Sequence, residues 1–243
     1  MLKSLAQPNT AENCRLLRTL GINRKLKGVS MNGHNLVFRT DPTWYVSQRA
    51  INGVAWFMQN QANHANQQQM LVLNVAKQGA FDLQGHRQAQ QVVLTPVGNV
   101  HHGDQPITAY WCPFVQGNVL PGFVDIPRHN PQHRFVFTAA MNGCALMVTA
   151  SPIGPNMIRV YHHQHPGNAG INQLIQAQGQ EVISFISFDD YGDVNQQLPA
   201  PNAFNFLYYR NGGWKFVLQP QTFNMVTHDV ALNPAIQSQI LDV

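Results

Sequence analysis

A chain of 243 residues with 44% hydrophobic and 11% charged side chains is long enough for one large core and too rich in apolar residues to be disordered. About one residue in five is Asn or Gln, so its polar surface rests on amides rather than on charge. The formal charge of +4 comes from few cations. Their main cluster, Arg24, Lys25 and Lys27 with Lys3, Arg15 and Arg18 nearby, is short and lacks interleaved aromatics, which argues against nucleic acid as a partner.

The segment Asn9-Thr10-Ala11-Glu12 reads as a capping box opening a helix with Cys14, Leu16, Leu17 and Leu20, ended by Gly21. Cys14 is there a buried apolar residue. Asp41-Pro42 predicts a second helix, its stripe formed by Trp44, Ile51, Val54, Ala55 and Met58. The Gln/Asn-rich stretch 59–69 reads as a solvated loop. From residue 70 the pattern turns to short β-type runs at 70–76, 91–97, 107–112, 119–126 and 134–140, separated by Gly, Pro, Asn or His clusters. A hairpin follows, with strands either side of Ser151-Pro152-Ile153-Gly154-Pro155-Asn156. Beyond it come a short helix at 168–178, a strand at 181–188, and a second hairpin, 204–210 and 214–219, around Asn211-Gly212-Gly213. A last helix is expected from Asn233 to Leu241. The fold expected is α+β, a central mixed β-sandwich with outer helices, forming a single domain over 1–243.

The standard signatures of nucleotide binding, serine hydrolysis and zinc proteolysis are missing from the sequence. Asp189-Asp190 follow a strand, where adjacent side chains point to opposite faces, so a turn role is expected rather than a carboxylate pair. His163-x-His165 is a weak metal pattern because Pro166-Gly167 follows at once; no metal and no cofactor are expected. Cys14, Cys112 and Cys144 form no CxxC, which points to a reducing compartment. No secretory signal opens the chain and no run approaches the ~18 apolar residues of a membrane span. The expectation is a cytosolic protein, or one exported without a cleavable signal, with no membrane association.

The first hairpin carries the candidate chemistry. Cys144, Leu146, Val148 and Ala150 share one strand face, and Ile158, Val160 and His162 share a face on the return strand. If both apolar rows meet the same core, Cys144 faces His162, whereas a bulge would exchange His162 for His163. Opposed residues stand about 4.5–5.5 Å apart at Cβ, close enough for a thiol to meet an imidazole and form a thiolate–imidazolium nucleophile. Gly143 permits an unusual backbone angle just before the cysteine.

This Gly-Cys strand start, hairpin and Tyr161-His162 return resembles the glutamine deamidase toxins of the cytotoxic necrotizing factor and Burkholderia lethal factor type, over 134–166. The family's cysteine matches Cys144, its strand histidine His162, and the threonine six residues before the cysteine Thr138. The chain has Asn142-Gly143-Cys144 where the family has Ser-Gly-Cys, and a longer hairpin. The resemblance implies a single β-sandwich catalytic domain, acting as a monomer in the host cytosol. It would convert a glutamine of a host protein to glutamate, the target being a Rho-type small GTPase or a translation-initiation helicase. A non-enzymatic or metal-binding β-sandwich interaction module is the alternative.

Overall fold

The computed structural model describes residues 33–56, 64–85, 91–97, 105–192 and 200–243. The expected first helix with Cys14 and the basic cluster around Lys25 lie outside the described residues.

The first half of the fold holds α1 (Gly33–Thr40), α2 (Pro42–Gln48), β1 (Ala50–Asn52), α3 (His64–Ala76), β2 (Gln78–Gly85), β3 (Gln91–Pro96), β4 (Ile107–Cys112), β5 (Gly122–Pro127) and β6 (Phe135–Thr138). The hairpin strands β7 (Ala145–Ala150) and β8 (Met157–His163) follow, then α4 (Ala169–Gln176), β9 (Val182–Ile186) and α5 (Phe188–Tyr191). The chain ends in β10 (Pro201–Ala203), β11 (Phe206–Arg210), β12 (Gly213–Leu218), β13 (Pro220–Phe223), β14 (Val230–Leu232) and β15 (Gln239–Asp242). The protein is α+β and mostly sheet.

Three sheets form, an eight-stranded one in the order β1-β3-β2-β4-β6-β11-β12-β15, a four-stranded one, β5-β8-β7-β9, and a three-stranded one, β10-β13-β14. The large sheet is mixed, with β1 parallel to β3 and β4 parallel to β6. Its two faces follow from strand alternation. Trp111, Phe135, Phe137, Phe206 and Tyr208 enter a core with Phe38 of α1, Tyr45 of α2 and Leu73 of α3. Their strand neighbours Tyr110, Cys112, Val136 and Leu207 enter a second core with Val124, Leu146, Val148, Ile158 and Val160 of the four-stranded sheet. Helices therefore cover one face of the large sheet and the small sheet covers the other. The gap between the two sheets is where the candidate chemistry sits.

Several expected elements change. The helix capped by Asp41, whose side chain accepts from Trp44 N–H, stops at Gln48 rather than running to Met58. Ala50–Asn52 instead pairs with Gln91–Val93 of β3, and Gln219 Oε1 accepts from Ile51 N–H, so sheet pairing overrides the helical stripe. The run 70–76 is helix rather than strand, and 64–69 joins it instead of forming a loop. The helix seats Leu73 against Gly79, while Asn74 accepts from Trp111 Nε1–H. Strand β2 adds to the expected elements, its buried Phe81 and Leu83 alternating with polar residues. The expected C-terminal helix is strand β15, paired with β12; Asn233 only caps a turn at Ala235 and Ile236.

Among the described residues, the other expected elements occur with shifted or trimmed ends. Asn211 and Gly212, both at positive φ, turn the β11–β12 hairpin. Asp189 and Asp190 start α5, with Asp190 completing a capping box on Ser187. Among the described residues no helix is long and apolar enough to cross a membrane.

Candidate active site

The β7–β8 ladder is continuous, from Ala145 opposite His163 to Ala150 opposite Ile158. The one irregularity recorded on β7 falls on its other side, toward β9 between Val148 and Thr149. No bulge intervenes between the cysteine and the histidines, so strand parity holds. Leu146 stands opposite His162, which places Cys144 diagonally from His162 rather than directly across. Cys144 joins Leu146, Val148, Val160 and Ile158 in the core between the sheets. His163 belongs to the other face, where its Nε2 lies 2.6 Å from Asn172 Oδ1 of α4. Among the described residues no three His, Cys, Asp or Glu side chains are grouped so as to hold a metal ion.

Thr138 reaches His162 from the facing sheet. Alternation along β6 sends Phe135 and Phe137 to the helix side and Val136 to the inter-sheet side, so Thr138 also projects between the sheets. Its Oγ1 lies 2.6 Å from His162 Nδ1 and 2.8 Å from the Cys112 carbonyl oxygen. The carbonyl can only accept, so the hydroxyl's single proton goes to Cys112. Thr138 must then accept from His162 Nδ1–H. This leaves the His162 Nε2 lone pair free, and that nitrogen is buried with no partner among the described residues.

The electrostatics differ from the expected thiolate–imidazolium pair. Burial pushes the Cys144 thiol above its ordinary value, and a backbone hydrogen bond at Asn142 only partly offsets this. Burial lowers the His162 imidazole to about 3, with the His163 charge adding to the shift. Both groups are therefore neutral near pH 7. Desolvation disfavours each charged form, and the diagonal placement leaves no close ion pair to compensate.

Three further residues complete the site. Tyr191 OH donates to the Cys144 carbonyl oxygen at 2.6 Å and fixes the backbone of the cysteine. The Phe114 ring stands edge-on to His162 with centroids 5.0 Å apart. Gln164 Nε2 donates to the Gly117 and Val119 carbonyls, holding the β4–β5 loop beside the histidine. Gln164 lies one residue past the end of β8, where strand alternation no longer fixes a face. Tyr191 and Phe114 carried no sequence signal. Gly143, at φ +78, sits at an open cleft of about 610 Å³ with Asn118, His165, Pro166, Gly167 and Asn168.

The family model of the Mcf1 activator-binding domain matches residues 51–242. The chain belongs to the Mcf1 activator-binding domain family. No curated protein matches it. The match takes in Thr138, Cys144 and His162, along with every described strand except the start of β1, so the hairpin and the sheet opposite it are part of this activator-binding domain.

Proposed function

We propose that this domain is a cysteine-dependent amidohydrolase that converts a glutamine of a host protein to glutamate. One observation carries the reading, the Thr138–His162 hydrogen bond that leaves Nε2 as a free base on the face shared with Cys144. With both groups neutral, the Cys144 proton moves to His162 Nε2 as sulfur attacks the carboxamide carbon. The backbone N–H of Cys144 takes the oxyanion, a type of contact worth about 2.7–4 kcal/mol in a serine protease. The imidazolium then protonates the amide nitrogen and ammonia leaves. His162 next takes a proton from water, which hydrolyses the thioester. Negative charge on the oxyanion offsets the otherwise disfavoured imidazolium only during reaction. The resemblance to the necrotizing-factor type extends the proposal to a similar catalytic fold, and to a Rho-type GTPase or translation-initiation helicase as target.

A second reading is favoured by the family match: the domain binds a protein activator, and the hairpin is structural. The raised thiol and the burial of His162 fit that reading as well. One experiment separates them. Host-cell lysate is treated with wild type or Cys144→Ser and searched by mass spectrometry for glutamine-to-glutamate conversion. Conversion by wild type alone supports the amidohydrolase. A partner retained equally by both proteins, with no conversion, assigns the domain to binding.

A further inference from the structure

Gln164, whose backbone neighbours the Cys144 thiol, holds an unused side-chain acceptor. The β7–β8 register ends at Ala145 opposite His163, and just past it Cys144 Sγ lies 3.9 Å from the backbone carbonyl oxygen of Gln164, which brings the two residues side by side. Two backbone carbonyls accept from Nε2, which fixes the orientation of the side-chain amide. Its Oε1 is buried with no partner among the described residues, as is His162 Nε2 two residues earlier in the chain. Buried acceptors are nearly always satisfied, so two unfilled ones on residues that neighbour Cys144 call for an explanation in a ligand.

We infer that Gln164 Oε1 accepts an N–H of the substrate's primary carboxamide, making Gln164 the residue that selects an amide at this site. The inference rests on the amidohydrolase reading. When sulfur bonds to the carboxamide carbon, the carbonyl π pair moves to oxygen and the nitrogen becomes tetrahedral. That nitrogen then carries two hydrogens, the bond to carbon and one lone pair. A hydrogen held on Gln164 turns the lone pair toward the His162 imidazolium, which supplies the proton. The C–N bond breaks, ammonia departs and the thioester remains. An ester oxygen has no hydrogen to offer, and a tertiary amide has none either. A carboxylate sets its charge against the Gln164 oxygen.

Small alkylating probes test this without the host target. Cys144 alkylation by iodoacetamide, N,N-dimethyl-iodoacetamide and methyl iodoacetate is timed by mass spectrometry, each rate divided by that of glutathione. Wild type should favour iodoacetamide over the other two by about tenfold, the scale of one hydrogen bond. Gln164→Met should abolish the preference, and Gln164→Glu, which keeps an acceptor oxygen, should retain part of it. Absence of any preference in wild type overturns the inference. So does an equal fall for all three probes in Gln164→Met, which would make Gln164 only a tether for the loop. If the preference is present but lysate shows no glutamine-to-glutamate conversion, amide recognition stands and the hydrolase reading fails.

Discussion

Thr138 and His162 come from different sheets and are joined by a 2.6 Å hydrogen bond whose direction is set by a third group, the Cys112 carbonyl. That chain of two bonds selects the imidazole tautomer. It also ties the hairpin to the large sheet through a polar contact inside an otherwise apolar core.

Thr138→Val keeps the side-chain shape but removes both bonds. It takes one partner from the Cys112 carbonyl and leaves His162 Nδ1–H unpaired, and the buried Nδ1–H should cost about 1–3 kcal/mol in urea denaturation. Thr138→Ser should restore most of the loss. If the domain deamidates, turnover should fall about 10²-fold in Thr138→Val, because the base loses its orientation.

Acid should destabilise the fold through His162. In the unfolded chain its imidazole titrates near 6.5, and in the folded protein near 3. Between those values the unfolded state binds more protons, so this contribution is complete above about pH 6.5 and is lost as pH falls toward 3. Burial lowers His133 and His163 too, and they act in the same sense. Urea midpoints measured from pH 7.5 to 4 should fall steadily. His162→Gln should give a shallower slope, whatever its absolute stability.

Both described thiols should be slow nucleophiles at neutral pH. Alkylation of Cys144 should rise with pH, with its midpoint above the ordinary thiol range, the opposite of an ion-paired cysteine. Cys112 is fully buried and pushed up to about 12, so it should label only on unfolding. Peptide mapping after timed alkylation from pH 6 to pH 10 reads both sites. Rapid labelling of Cys144 at pH 6 would contradict this electrostatic picture.

The long turn of the hairpin is anchored by charge. Arg159 Nε and Nη2 each donate to Asp125 at 2.8 Å, and Ser151 Oγ donates to Asp125 Oδ1 at 2.7 Å. The Ser151 oxygen in turn accepts from Ile153 N–H inside the turn. Asp125→Asn or Arg159→Met alone should cost about 3–5 kcal/mol, since each breaks a buried ion pair. Asp125→Leu combined with Arg159→Met should recover much of that loss in urea denaturation.

Strand alternation, Pro-Gly turns and the Asn168 and Asp41 caps could be read from the sequence, because each depends on neighbours a few residues away. So could the common face of Cys144 and His162, since a period of two needs only an unbroken ladder. The apolar runs 50–52 and 70–76 differ from their local pattern because their state depends on distant partners. Gln91 to Val93 draw the first into a sheet, and Trp111 and Gly79 receive the second as a helix. The site divides in the same way. Thr138 was singled out by resemblance, but its hydroxyl's direction, the tautomer of His162 and the neutral state of the thiol depend on which groups the two sheets bury together. Desolvation and hydrogen-bond direction are properties of that enclosure, and only the packed tertiary structure creates it.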